Sequence, residues 1–258
     1  MEKEKNIAML IDADNISYAH IKEMTDELAR YGNLTIKRIY GDWTNQHMNG
    51  WKDVLLKNAI IPIQQYSYTT GKNSTDSAMI IDAMDILYSG HVDIFCLVSS
   101  DSDFTRLAMR LREEGKEVIG IGYKRTPQPF IVACNKFIHI EVLSPVVETP
   151  IPLHPISPEE DRQHQPNDQK TTFVPTIERE TTPHFLSLIQ DAIDAVADDS
   201  GWSALGNVGN LLIKKDPAFD TRAFGFKKLS TLIESYSDMF DMRKINSFHI
   251  IVRRKNNK

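Results

Sequence analysis

The chain is poor in cysteine, in long apolar runs and in surplus positive charge, and each shortage removes a class of protein. Its two cysteines, Cys96 and Cys134, cannot build a disulfide frame or a thiolate zinc site. Both sit in apolar segments, IFCLV and IVACNKFI, where buried reduced thiols are expected. No apolar run reaches the roughly 20 residues of a membrane helix, and MEKEKN lacks the apolar stretch of a signal peptide. The expectation is a cytoplasmic protein with no membrane partner. Eight histidines are scattered without ligand spacing, so zinc chemistry has no support. Against 35 acidic residues stand 30 basic ones, a net charge of −5 rather than the basic balance usual for nucleic-acid-binding domains. A hydrophobic fraction of 41% is nonetheless ample for a packed core in 258 residues.

Proline divides the chain. Eight of the 12 prolines fall within residues 144–183, a stretch also rich in Thr, Gln, Asn and Glu. Such a composition reads as a flexible linker between residues 1–143 and 184–258. The charge divides with it, as −3, −4 and +2 in the three segments, so the acidity is uneven and the tail is mildly basic. Before the linker, apolar strand-like runs (NIAMLID, LTIKRIYGDW, IIPIQQY, DIFCLVSS, EVIGIGY) alternate with helical patterns (IKEMTDELARYG, WKDVLLKNA, SAMIIDAMDILYSG, FTRLAMRLREEG). That alternation predicts an α/β fold, a parallel sheet with helices on both faces. After the linker, three helical stripes run from Phe185 to Val196, Leu205 to Leu212 and Phe226 to Tyr236, and a hairpin of MFDMRK and FHIIVRR follows. Three helices and a hairpin outline a small winged helix.

Ligands of open parallel sheets collect beyond the carboxyl ends of the strands. Here those positions are acidic. The first strand runs into Asp12-Ala13-Asp14-Asn15, a later one into Ser99-Ser100-Asp101-Ser102-Asp103, and Asp76 begins a helix after GKNST. Carboxylates crowded into one cleft repel unless a cation neutralises them, and an all-oxygen set favours Mg²⁺ or Mn²⁺. Such ions support phosphodiester hydrolysis. Each acid also has a plainer use: Asp14 as a helix cap, Asp76 as a partner of the helix dipole, Asp101 or Asp103 as a strand terminator. Asp82 and Asp85 lie about 240° and 180° around their helix from Asp76, outside such a cluster.

The segments DADN, GKNSTDSAMIIDAMDIL, FCLVSSDSDFTRLAMRLREEGKEVIGIG and TPQPFIVACNKFI resemble the NYN domain, a branch of the PIN-like nuclease superfamily. The resemblance covers about residues 5–143 and implies a metal-dependent ribonuclease that leaves 5′-phosphate and 3′-hydroxyl ends. Carried over residue by residue, it implies metal ligands at Asp12, Asp76 and Asp101, with Asp103 a further acid and Asn15 a polar neighbour. The tail, through Phe224-Gly225-Phe226-Lys227-Lys228-Leu229 and the hairpin, resembles the OST-HTH/LOTUS domain, which implies RNA as partner. PIN-like relatives often dimerise, so a homodimer through the nuclease domain is a further expectation of the resemblance.

Other residues are weighed beside these. Lys72, four residues before Asp76, is placed to meet a phosphate, and Lys124, Arg125 and Lys136 to follow a nucleic-acid backbone. In the tail Lys214, Lys215, Arg222, Lys227, Lys228, Arg253 and Arg254 are candidates for a basic RNA-binding face, against a reading as ordinary solubilising charge. Trp43 and Trp51 flank a polar loop, where burial is the commoner fate of tryptophan and base stacking the alternative. Two rival functions remain: a haloacid-dehalogenase-type phosphatase, which also places Asp-x-Asp after strand one, and a non-catalytic RNA-binding scaffold.

Overall fold

The computed structural model describes residues 4–66, 74–143, 182–246 and 249–255. Most of the expected linker and Lys72 lie outside the described residues. In the first module the expected alternation is found: β1 (Asn6–Asp12), α1 (Ile21–Leu28), β2 (Asn33–Gly41), α2 (Trp51–Asn58), β3 (Ile61–Gln64), α3 (Ser74–Ser89), β4 (Ile94–Val98), α4 (Thr105–Glu113) and β5 (Glu117–Gly122). Two further elements follow, α5 (Gln128–Ala133) and β6 (Lys136–His139). The sequence pattern misses β6 because only Phe137 and Ile138 of its four residues are buried.

The six strands pair in parallel in the order β3-β2-β1-β4-β5-β6. From Ile7 to Asp12 every residue of β1 is buried, as is all of β4. Strands covered on both faces read as unbroken apolar runs, and these do. On one face Ile7, Met9 and Ile11 pack under α1 and α2 through Ile21, Met24, Leu28, Trp51 and Leu55. On the other, Ala8 and Leu10 join Met79 and Ala83 of α3, Leu107 and Leu111 of α4, and Phe130 of α5. Both cysteines are buried and free, as expected, and burial pushes the Cys134 thiol up to about 12. Because α3 carries the chain from the edge strand β3 to β4 at the centre, the strand order reverses between β1 and β4. That reversal opens a crevice at their carboxyl ends.

The second module comprises α6 (Thr182–Ala195), β7 (Ser203–Ala204), α7 (Leu205–Lys215), α8 (Leu229–Glu234), β8 (Phe240–Lys244) and β9 (Ile250–Arg254). Its strands form an antiparallel sheet, β7-β9-β8, so the winged-helix outline gains a short third strand. Phe185, Ile189, Ile193, Val208, Leu212, Leu232 and Val252 close its core. The third helix is shorter than its apolar stripe: Gly225, at φ 83°, ends a 3-10 turn over Thr221–Phe224, and Phe226 precedes the helix. Left-handed backbone of this kind suits glycine.

The modules touch. The Arg222 guanidinium donates to both carboxylate oxygens of Glu27 at 2.9 and 3.1 Å and to Asp220 at 2.7 Å. The Phe137 N–H on the edge strand β6 donates to the Pro217 carbonyl at 2.7 Å, and Ala218 packs against the sheet's core. This corrects the placing of Arg222 on an RNA-facing surface, since two acids saturate it. Burial alone would raise the Glu27 carboxyl, which is 6% exposed, but hydrogen bonds and charge from Arg222 hold it below its ordinary value; Asp220 behaves alike.

Arg222→Ala removes two of the four hydrogen bonds on Glu27, leaving it to Arg30 and Tyr31, and strips the guanidinium from Asp220; chemical denaturation should show a loss of about 2–4 kcal/mol. A depressed carboxyl stabilises above its ordinary pKa and ceases to do so as pH falls through the lower folded value. The wild-type and Arg222→Ala melting temperatures should accordingly converge as the solution is acidified below pH 4.5, the ordinary value for Glu27.

Candidate active site

The crevice between β1 and β4 collects the acids. Asp12 ends β1 at 1% exposure, with three donors on its carboxylate. Its Oδ1 accepts the Asp14 N–H at 3.1 Å, and its Oδ2 accepts Asn15 Nδ2 and Ser99 Oγ, both at 2.7 Å. Burial raises the Asp12 carboxyl above its ordinary value, while the Ser99 and Asn15 hydrogen bonds work in the opposite direction. After β4 the chain turns through Ser99 and Ser100 into a 3-10 turn (Ser102–Phe104) capped by Asp101, whose Oδ1 accepts the Asp103 N–H at 2.9 Å. Asp76 sits in the first turn of α3.

The fold brings three of these acids to one point. Carboxylate oxygens of Asp76, Asp101 and Asp103 all lie within 4.8 Å of one another. Asp12 is not part of this trio, but of the neighbouring charges its own acts most strongly on Asp76. Burial, then the charges of Asp12, Asp101, Asp103 and Asp14, pushes the Asp76 carboxyl up to about 6. Two of the plain uses coexist with the cluster, since Asp101 is a cap and Asp76 lies in the first turn of its helix, but Asp14 does not cap the following turn: Ser17 does, and Asp14 is exposed with its N–H on Asp12.

Ser99 is a residue that the motif contained but the sequence reading gave no role. Fully buried, it donates to Asp12 and accepts the Asp101 N–H at 3.0 Å, so one hydroxyl couples the acids of two strands. Ser100 does the same for the next strand, accepting the Tyr123 N–H at 2.9 Å. Small hydroxyl residues directly after an apolar strand were the available signal.

The remaining candidates divide. Lys124 and Arg125 are exposed on the turn after β5, and with Asp14 and Asn15 they line a cavity of about 670 Å³. Lys136 lies 5.0 Å over the Tyr31 ring, at the base of the sheet edge. Asp82 pairs with Arg38 and Tyr40, away from the cluster as its helical angle required. Trp51 is buried against Tyr18, and Trp43 donates its indole N–H to the Ile63 carbonyl, so both are structural. In the tail Lys214, Lys215, Lys227 and Lys228 are exposed, whereas Arg253 pairs with Asp241 and Arg254 with Asp194. Arg253 and Arg243 also lie 4.7 and 4.6 Å from the ring centre of Trp202. That engagement removes much of their freedom to meet RNA.

The sequence model of the NYN domain matches residues 6–141, more than half of the chain. The chain belongs to the NYN-domain family. A second family model, the OST-HTH/LOTUS domain, matches residues 180–252. The first match places the acids within a PIN-like nuclease-type module, and the second makes the tail of this NYN protein an OST-HTH module. A protein named as uncharacterized, MJ0482 of Methanocaldococcus jannaschii, is 27% identical over 123 residues, 46% of this chain. The chain spans about half the length of that relative, 48%. Two solved structures are similar over part of the chain. A crystal structure of a protein of unknown function, VPA0982 from Vibrio parahaemolyticus, has 20% identity and a TM-score of 0.46, covering 54% of this chain and 95% of its own. A solution structure of a protein from locus NE0665 of Nitrosomonas europaea has 29% identity and a TM-score of 0.29, covering 38% and 95%. Among the described residues, no helix is long and apolar enough to cross a membrane.

The strain at Asp76 is measurable without substrate. A carboxyl raised above its ordinary value of 3.8 opposes folding once pH exceeds that value, and does so fully above about 6. Asp76→Asn should therefore melt a few degrees higher than wild type at pH 7.5 when divalent ions are chelated, with the gap closing as pH falls toward 3.8.

Proposed function

We propose that the chain is a ribonuclease that hydrolyses single-stranded RNA with Mg²⁺ or Mn²⁺, its OST-HTH module binding the same RNA. One observation carries the reading: the convergence of Asp76, Asp101 and Asp103, where burial and then the neighbouring charges drive the Asp76 carboxyl up to about 6. The donor set fits a hard divalent cation, which takes oxygen ligands at about 2.0–2.1 Å and so needs carboxylates gathered at this spacing. Asp76, Asp101 and Asp103 would hold it, Asp101 through the oxygen not used in its cap. When bound, the ion would polarise a phosphoryl oxygen and lower the pKa of a water molecule.

The chain's own groups do the positioning. Asp12, held by Ser99, Asn15 and the Asp14 amide, fixes the turn that carries Asp101, and its charge keeps the cleft selective for cations. Lys124 and Arg125 provide the positive counterpart for the RNA backbone, as do Lys214, Lys215, Lys227 and Lys228 in the tail. A phosphatase of the haloacid-dehalogenase type needs its first aspartate free to attack phosphorus. Asp12 at 1% exposure, with three donors on it, speaks against that role.

Purified protein with Mn²⁺ should degrade single-stranded RNA, and Asp101→Asn, which keeps the cap, should lower the rate by at least about 100-fold without lowering the melting temperature. Mn²⁺ should also bind more weakly as pH drops through about 6, where Asp76 of the metal-free cluster takes up its proton and competes with the ion. Undiminished cutting by Asp101→Asn would remove the site from the mechanism. Tight RNA retention with no turnover in either metal would favour the scaffold reading.

A further inference from the structure

The acids and the cavity lie on opposite sides of the same sheet edge. Asp76 belongs to α3, whose apolar face packs with Phe104 beneath one face of the sheet. The cavity of about 670 Å³ is bounded by Asp14–Ser17 after β1, Tyr123–Arg125 after β5 and Glu141 beyond β6. Its walls Ile16 and Tyr123 pack into the core of the other face. Asn15 is the ridge between the two, lining the cavity while its amide holds Asp12. A strand crossing the carboxyl edge from α3 toward α1 would thus pass the acids first and the cavity next.

The cavity is built rather than incidental. Tyr123 donates its N–H to Ser100 Oγ, and Thr126 Oγ1 donates to the Tyr123 carbonyl at 2.6 Å and lies 3.0 Å from Ser100 Oγ. Gly122 makes this approach possible, because a Cβ there would meet the Ser99 carbonyl oxygen at 2.5 Å. The Tyr123 hydroxyl accepts the Ser17 N–H at 3.3 Å, and the Arg125 guanidinium lies 5.2 Å from the Tyr123 ring centre. Glu141 accepts the Lys124 backbone N–H through both oxygens, at 3.0 and 3.2 Å, which fixes the turn and leaves the Lys124 side chain exposed. The backbone that carries the two cations is therefore tied through Ser100 to the turn that carries Asp101.

We infer that this cavity is the subsite for the nucleotide next to the scissile phosphate, with Lys124 and Arg125 holding that nucleotide's phosphate and the Tyr123–Ser17 wall receiving its sugar and base. This deepens the ribonuclease reading and rests on it. The depression is wide and open, so a nucleotide can rest against the Tyr123–Ser17 wall with its phosphate beside Lys124 and Arg125. A nucleotide seated there must leave its pairing partner, so the substrate class is unpaired RNA.

The test separates the cavity from the chemistry. The full chain carrying Asp101→Asn, which prevents turnover, is titrated with uridine 5′-monophosphate and followed by amide NMR. Shifts should concentrate on residues 14–17, 123–125 and 141. Lys124→Ala/Arg125→Ala in that background should raise the dissociation constant about tenfold by removing two charge-assisted contacts. For a single-stranded oligonucleotide the same pair should flatten the salt dependence by a slope of about 1. Shifts that avoid the cavity, unchanged affinity in the double variant, or a duplex bound as tightly as a single strand of equal length would each overturn the inference. If wild-type protein leaves RNA intact in Mn²⁺ while the nucleotide still shifts the cavity residues, the subsite stands and the hydrolase reading falls.

Discussion

Everything at the functional edge depends on sealing β1 and β4 from water on both faces. Two adjacent parallel strands with helices above and below can carry only apolar side chains along their length, so the first positions able to carry chemistry are those just past their carboxyl ends. In this chain they are Asp12 and the segment from Ser99 to Asp103. The reversal of strand order between β1 and β4 opens the crevice at that place, and α3, which makes the long crossover, delivers Asp76 to its rim.

The edge is then stiffened by hydroxyls. Ser99 joins Asp12 to the Asp101 turn, and Ser100 joins that turn to the loop of Tyr123 and Thr126. These bonds are short-range, buried or partly buried, and span three neighbouring strands, so acids and cations are held in register before any ligand arrives. Crowding negative charge in such a frame costs folding free energy, which the raised pKa of Asp76 records. A cation at that place would relieve it.

The second module is joined to the first by more than chain connectivity. Arg222 lies between Glu27 of α1 and Asp220, and the otherwise unpaired edge strand β6 donates to Pro217. An exposed edge invites pairing with other chains, and covering it with the tail removes that hazard from the contacted part. The arrangement also sorts the basic residues of the tail: Arg222, Arg253 and Arg254 pair with acids, whereas Lys214, Lys215, Lys227 and Lys228 are exposed.

Much of this was legible in the residues. The alternation of apolar runs with helical stripes determined the α/β class, the acids after strands one and four determined where chemistry would sit, and the stripes after residue 184 determined a winged helix, because periodicity and strand-end polarity are local properties. Strand β6 and the short α8 were not legible: β6 has two buried residues and depends on β5 for its register, and α8 is cut short by the left-handed Gly225. The net charge of −5 misdirected the reading, since a sum over the chain says nothing of where charges meet. Only the tertiary structure decided that Asp76, Asp101 and Asp103 converge with the charge of Asp12 acting on them, that Ser99 couples two strands, and that Arg222 joins two modules. Those outcomes turn on contacts such as Ser99 with Asp12, 87 positions apart, and Arg222 with Glu27, 195 apart, and contacts at such separations are set by packing, which no local pattern encodes.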